Sequence, residues 1–405
     1  MSESKTPLDA DLIVVNTCTV THRADKQVRQ AIRRLHRENP AAKVIVTGCY
    51  AQRDPDTLAS MSGVSLVLGT TEKERLSEFM ENCEHQARGK AYCSPMDAGR
   101  DYLSAPMIFT GGKTRPLVKL QDGCDAHCAY CIVPSVRGPG RSARIESALA
   151  EIQSLVEYGF QEIVLAGVNL GAYGRKLKGH AHLIDLLRSI IRIPMLGRIR
   201  LSSIEPMSFD RAIINLAAEN PVIARHFHIP MQSGCDRILR RMRRPYTAAR
   251  FLDLLRHIQS ELPDAGLGTD VLVGFPGETD QDFKETCDLI DNSPLTYLHV
   301  FPFSPREGTE AYSLPDRLPF KVIKHRLEIA LELSRSKNLS FRRRFLGRVL
   351  PAITLAKEED LGTSVVLTGN YIHARVKGLS APPNRLVQVR IEEVLPATTY
   401  ASIHA

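Results

Sequence analysis

The chain has 405 residues, with 53 Lys and Arg against 45 Asp and Glu, for a formal net charge of +8. Hydrophobic residues at 43% and charged residues at 24% exclude a disordered or fibrous chain, and the length implies more than one core. No apolar run is long enough to span a bilayer, and the polar residues 1–11 lack the apolar core of a secretory signal, so a cytoplasmic protein with no membrane partner is expected. The positive balance favours a polyanion such as nucleic acid, although solubility alone has the same signature.

Strand patterns at 12–15, 43–47 and 65–68 alternate with helical patterns at 25–38, 55–61 and 72–81. Such alternation predicts a parallel sheet covered by helices. Segment 83–107 mixes polarity with Gly and Pro and is expected to be a linker. Six strand patterns follow, at 117–121, 162–166, 198–203, 225–229, 266–273 and 297–301, separated by helical patterns at 145–158, 183–192, 209–218, 248–261 and 280–291. They predict a partial barrel, open on one side, with its chemistry at the C-terminal strand ends. A basic helix over 318–345 leads to strands at 350–355, 364–368, 372–376 and 386–394, which read as a small β-barrel. The expected domains are 1–106, 107–340 and 341–405.

Nine cysteines in a chain this long read as ligands or catalysts rather than disulfide staples. Cys124, Cys128 and Cys131 have the spacing C-x3-C-x2-C on the loop after the first barrel strand. Three thiolates so close wrap a 4Fe–4S cubane and ligate three of its irons. The fourth iron stays open to the amino and carboxylate groups of S-adenosylmethionine, whose reductive cleavage yields a 5′-deoxyadenosyl radical. The alternative is a structural zinc site, but zinc usually takes four ligands in two separated pairs. No such fourth ligand is spaced for it, although His127 lies inside the loop. The aromatic Tyr130, directly before the third cysteine, adds to the cluster reading.

Four segments follow strands two to five of the barrel. Gly167 and Asn169 lie in Gly-Val-Asn-Leu-Gly, whose glycines allow close backbone approach to a ligand. Ser203 and Glu205 offer a hydroxyl and a carboxylate to an amino group or ribose. Gln232 and Ser233 suit ribose or carboxylate. Asp270 and Gly274 bracket an apolar stretch suited to adenine. Each alone also fits an ordinary turn, and their recurrence after successive strands carries the joint reading. Cys18, in Asn16-Thr17-Cys18, and Cys49, in Gly48-Cys49, both end strands of one parallel sheet and together suggest a second metal site.

The three-cysteine motif with its aromatic resembles the radical S-adenosylmethionine superfamily. With Asn16-Thr17-Cys18, Gly48-Cys49 and the terminal β-domain, nearly the whole chain resembles the radical methylthiotransferases. That resemblance implies an N-terminal domain with an auxiliary 4Fe–4S cluster on three cysteines, two of them Cys18 and Cys49. It also implies a central radical barrel and a C-terminal TRAM domain that binds RNA. Residues 15–25 and 46–52 look like the branch acting on tRNA threonylcarbamoyladenosine. The implied reaction places a methylthio group on C2 of that adenine, beside the anticodon. The alternatives are the branches acting on isopentenyl-adenosine in tRNA or on a ribosomal-protein aspartate. The implied partners are the tRNA anticodon loop and an electron donor such as flavodoxin or ferredoxin, not DNA.

Two departures from the family pattern stand out. The family's first auxiliary cysteine, with its opening strand and helix, precedes the point where this chain begins. A misassigned start or a truncated N-terminus is therefore expected, and truncation would leave a non-catalytic RNA-binding relic as a further alternative. Cys83 and Cys93 match no family motif and are not expected to substitute. Arg137-Gly-Pro-Gly-Arg141-Ser142 is a variant of the usual basic stretch after the third cluster cysteine. Lys26, Arg29, Arg33 and Arg34, together with Arg342, Arg343 and Arg344, are candidate phosphate contacts or simply solvated helix faces.

Overall fold

The structure, a computed structural model, describes residues 4, 6–81, 89–96, 102, 114–179, 181–358, 363–379 and 381–404. It forms two compact units. The first joins Met1–Arg100, Gly123–Pro139 and Ser304–Leu314, and the second joins Asp101–Asp122, Gly140–Phe303 and Pro315–Ala405. These units cross the boundaries expected at 106/107 and 340/341. The three-cysteine loop groups with the N-terminal residues, and the C-terminal barrel groups with the six-stranded core.

In the first unit, β1 (Leu12–Thr17), α1 (His22–Glu38), β2 (Lys43–Gly48), α2 (Cys49–Arg53), α3 (Pro55–Ala59), β3 (Val64–Leu68), α4 (Leu76–Glu81) and β4 (Lys90–Tyr92) follow in chain order. The sheet order is β1-β2-β3-β4, and every pairing is parallel. Central β2 and β3 bury nearly every side chain, which is why they read as continuous apolar runs rather than alternating ones. Helix α1 starts where the Thr21 side chain accepts from the Ala24 N–H, and it buries Ile32 and Leu35. Strand β4 lies inside the segment expected to be a linker. Its side chains are exposed and it spans three residues, so no periodicity marked it. Helix α5 (Val133–Arg137) completes this unit directly after the cysteine loop.

The second unit begins with β5 (Leu117–Asp122), β6 (Arg141–Ser142), α6 (Ile145–Glu157), β7 (Glu162–Gly167), α7 (Leu183–Ile190), β8 (Arg198–Leu201) and α8 (Ala212–Glu219). It continues through β9 (His226–His228), α9 (Asp236–Arg241), α10 (Ala248–Glu261), β10 (Gly266–Val273), α11 (Asp280–Asp291), β11 (Tyr297–Pro302) and α12 (Phe320–Arg343). Parallel ladders run β5-β7-β8 and β9-β10-β11. The two groups meet through the Ile199↔Ile223 bridge and the bond from the Ile204 N–H to the His228 carbonyl. The result is the partial six-stranded barrel expected from the sequence. Its outer face, against the helices, carries Leu120, Ile163, Leu165, Ile199, Phe227 and Val271, all nearly inaccessible.

Five strands close the C-terminal barrel: β12 (Val349–Glu358), β13 (Thr363–Thr368), β14 (His373–Lys377), β15 (Leu386–Val394) and β16 (Thr399–Ile403), in the order β12-β13-β14-β16-β15. Four of these strands are expected from the sequence, and β16 is a fifth. Within this unit the barrel is clamped to the core by one buried carboxylate. Glu162, with a fully inaccessible side chain, takes Arg198 at 3.1 Å and Arg200 at 3.0 Å. Those guanidiniums reach on to the carbonyls of Pro351, Thr368 and Gly369. Burial pushes the Glu162 pKa up, but the charges of Arg200, Arg198 and Arg115 outweigh it and keep the group ionised.

Candidate active site

Cys18 and Cys49 sit on one rim because of a threonine and a glycine. The Thr17 hydroxyl donates to the Thr47 carbonyl at 2.6 Å and accepts the Tyr50 and Ala51 N–H groups at 3.2 and 3.3 Å. The ends of β1 and β2 are thereby tied one step from each cysteine. Gly48 has φ +99°, and a Cβ there would meet the Thr17 carbonyl oxygen at 2.5 Å, so only glycine fits. Cys18 is exposed and Cys49 buried.

The three-cysteine loop belongs to the same unit. Its Cys124 N–H donates to the Gly138 carbonyl, and its Cys131 N–H to the Cys128 carbonyl. The Ala126 N–H points at the Cys124 sulfur at 3.4 Å, the type of contact that favours thiolate. Ile132 and Val136 pack on Cys49, and Arg137 donates from Nε to the Cys49 sulfur at 3.2 Å. Tyr130 lies on this loop too. Cys124, Cys128 and Cys131 are partly exposed on one short loop. That soft donor set fits a 4Fe–4S cluster and leaves room for a non-protein ligand. Cys18 and Cys49 fit two positions of a second site. Cys93 is unsuited to a third: its thiol donates to the Ala51 carbonyl, and burial together with Glu72 pushes its pKa up to about 11. Cys83 lies outside the described residues.

Arg306 was not anticipated. It is 1% exposed, and its Nη2 reaches the Thr19 hydroxyl and Asp25 at 2.7 Å each, while Arg53 also pairs with Asp25. Its Nε and Nη1 have no partner among the described residues. A signal existed, since Ser304-Pro-Arg306-Glu-Gly308 follows the sixth barrel strand as the other motifs follow theirs.

The remaining candidates lie in the second unit at the strand ends. The Gly167 N–H donates to Ser202 Oγ, and a Cβ at Gly167 would press on Gln121 at 3.0 Å. Asn169 is buried, with its N–H on Gln121 and its side-chain oxygen unpaired. Ser203 lines a cavity described below, whereas the Glu205 carboxylate is paired with Arg244. Gln232 adopts φ +67°, unusual for a residue with a Cβ, and its N–H bonds the Asp270 carbonyl. The Ser233 hydroxyl is buried beside Thr286 and accepts the Cys235 N–H. Gly274, at φ +78°, gives its N–H to Glu278.

Asp270 lies in the barrel lumen, where His228 Nε2 is 3.0 Å and His299 Nδ1 3.4 Å from its carboxylate. Burial raises its pKa, but the hydrogen bonds from those two histidines prevail and hold it at about 2. The lumen holds an open cavity of about 550 Å³. Its wall includes Arg115, Arg200, His226, Tyr297 and, from the C-terminal barrel, Tyr371. The tyrosine stacks on His226 at 4.1 Å between ring centres.

Arg342 corrects an expectation. It is buried, and its guanidinium is bonded to the carbonyls of Leu395, Pro396 and Thr398 and to the Thr399 hydroxyl, so it secures the β15–β16 turn and does not face a phosphate. Arg344 bonds the Pro263 carbonyl, whereas Arg343 is exposed and makes no side-chain bond to the backbone among the described residues. No helix among the described residues is long and apolar enough to cross a membrane.

Residues 118–290 match the Radical SAM superfamily, and residues 1–69 match uncharacterized protein family UPF0004. The fold is similar to that of the radical S-adenosylmethionine methyltransferase TsrM from Kitasatospora setae, with a TM-score of 0.55 and 17% identity over 72% of this chain and 64% of that one. In sequence the chain is 36% identical to the threonylcarbamoyladenosine tRNA methylthiotransferase MtaB of Aquifex aeolicus, over 94% of this chain and 91% of that protein. It is 35% identical to the Bacillus subtilis protein of that name, over 94% and 85%. It is also 34% identical to the tRNA-2-methylthio-N(6)-dimethylallyladenosine synthase of Mycobacteroides abscessus, over 86% and 71%. Barrel, cysteine loop and superfamily match together define a radical SAM enzyme with a 4Fe–4S cluster and S-adenosylmethionine as cofactors. Within that class, this chain belongs to the tRNA methylthiotransferases.

Proposed function

We propose that the enzyme converts N6-threonylcarbamoyladenosine beside the tRNA anticodon to its 2-methylthio derivative. The observation that carries the reading is the gathering of Cys18, Cys49 and the Cys124–Cys131 loop in one compact unit, joined by the Arg137 contact to Cys49. The choice of base is supported by the Aquifex aeolicus and Bacillus subtilis relatives named for threonylcarbamoyladenosine, each of which matches over 94% of this chain against 86% for the Mycobacteroides abscessus dimethylallyladenosine synthase. It is also supported by residues 15–25 and 46–52, which resemble that branch.

When bound, the cluster on Cys124, Cys128 and Cys131 supplies reductive cleavage of S-adenosylmethionine, the chemistry an unactivated aromatic C–H requires. The protein's part is positioning and shielding. Thr17 and Gly48 fix Cys18 and Cys49, which would hold two corners of an auxiliary 4Fe–4S cluster on the sulfur-donating side. Arg137 stands over Cys49 as a fixed cation. In the second unit Gly167, Asn169, Ser203, Gln232, Ser233 and Gly274 would contact S-adenosylmethionine, chiefly through backbone groups where their side chains are already engaged. The C-terminal barrel would hold the anticodon arm, with an electron donor such as flavodoxin or ferredoxin supplying the reducing equivalent.

Nucleoside mass spectrometry of tRNA from a strain lacking the gene tests the proposal. The expected result is loss of 2-methylthio-threonylcarbamoyladenosine with accumulation of its unthiolated precursor. Loss of the methylthio-isopentenyl nucleoside instead would reassign the branch.

A further inference from the structure

The cavity in the lumen sets a few charged and polar groups among the apolar walls of Leu117, Val164 and Leu201. Arg115 lies two residues before β5, Arg200 is the third residue of β8, and His226 opens β9. Around Glu162 three arginines face one carboxylate, since Arg115 Nη1 also approaches it at 3.4 Å. The region therefore carries surplus positive charge. Arg115 is only loosely held, and a guanidinium offers five N–H donors. Asp270 lies farther along, four residues into β10, already matched by His228 and His299. His226 is 4% exposed, bonds Tyr297 through Nε2 at 2.8 Å, and keeps Nδ1 unpaired. A buried ring nitrogen without a partner is a place for a ligand.

Tyr371, at the tip of a turn in the C-terminal barrel, closes this end with φ +75°, a backbone angle rarely held by a residue with a Cβ. An apolar substituent in this space would strip water from Arg115, His226 and Tyr297 and return no hydrogen bond, which costs far more than a missing methylene. A substituent with one carboxylate and a hydroxyl would meet both needs. The volume of about 550 Å³ is within the usual range for a small-molecule site.

We propose that this cavity receives the threonylcarbamoyl group, with Arg115 on its carboxylate and His226 on a neighbouring polar atom. It is thus the specificity pocket that distinguishes a carboxylate-bearing adenine from an isopentenyl one. The assignment rests on the threonylcarbamoyladenosine reading above.

The test uses the anaerobically reconstituted full chain and three anticodon stem-loop RNAs, bearing threonylcarbamoyladenosine, its carboxyl methylamide, or isopentenyl-adenosine. The readouts are Kd by fluorescence anisotropy and methylthio product by mass spectrometry. Wild type should prefer the free carboxylate over the amide by about 10- to 100-fold, the range for a charge-assisted hydrogen bond. Arg115→Gln should reduce that ratio to about 3-fold or less, while Arg115→Lys, checked by melting temperature, should restore part of it. An unchanged ratio in Arg115→Gln, or no wild-type preference between acid and amide, overturns the pocket assignment but leaves the branch standing if the threonylcarbamoyl RNA is thiolated. Thiolation of the isopentenyl RNA in preference to both others overturns the branch, and the pocket with it.

Discussion

The Thr17 hydroxyl donates to the Thr47 carbonyl at 2.6 Å, so the last residue of one strand is latched to the residue before the glycine that ends the next. Two cysteines far apart in sequence are set in place by this latch. Thr17→Val keeps the shape and removes the hydroxyl, leaving the Tyr50 and Ala51 N–H groups without their acceptor. The expected loss is about 1–3 kcal/mol, read by urea unfolding of the metal-free chain. A midpoint within error of wild type would deny the latch any role.

Cys128→Ala removes one of three ligands on the radical loop. The purified, reconstituted variant should release no 5′-deoxyadenosine from S-adenosylmethionine and should carry about four fewer irons per chain. Cleavage at the wild-type rate would show that Cys128 does not hold the radical cluster.

Glu162→Gln removes the anionic partner of two buried arginines. Breaking a buried pair from one side costs about 3–5 kcal/mol, here expressed as lower thermal stability and release of the C-terminal barrel to protease. The pH dependence has a definite sign. The folded pKa of Glu162 lies below its ordinary value of 4.5, so its contribution is complete above 4.5 and is lost as the pH falls through the depressed folded value. Wild type should therefore lose stability across that acid window more steeply than Glu162→Gln. Parallel curves would contradict it.

Arg342 and Arg343 are neighbours with opposite expected behaviour. Arg342→Met should lower the melting temperature by exposing the β15–β16 carbonyls, with little change in the salt dependence of tRNA binding. Arg343→Glu should leave the melting temperature alone and reduce the slope of log affinity against log salt by about one. Equal salt slopes for wild type and Arg343→Glu would remove Arg343 from the RNA contact surface.

Most of the architecture was legible because strand and helix periods are local. Strand β10 and helices α10 and α11 occupy the residues their patterns predicted. The three-cysteine loop was legible because one short stretch carries all its chemistry. What escaped was relational. Strand β4 is read only by its pairing with β3, since Lys90, Ala91 and Tyr92 carry no buried alternation. Arg342 looked like one of three equal cations until its carbonyl partners, more than fifty residues on, were in view. Arg306 and Tyr371 matter through residues remote in sequence, Asp25 and His226, and no window along the chain contains both members of either pair.

The stacking of Tyr371 on His226 bears on how such enzymes diversify. A terminal module that only gripped RNA would be interchangeable between relatives, like a handle. Here it also supplies a piece of the chamber wall, so a chimera with a foreign terminal barrel would inherit a different floor. If the cavity receives the base as proposed, recognition of the tRNA and of the modified base would be bound into one heritable unit, and recombination at the end of α12 should shift both at once.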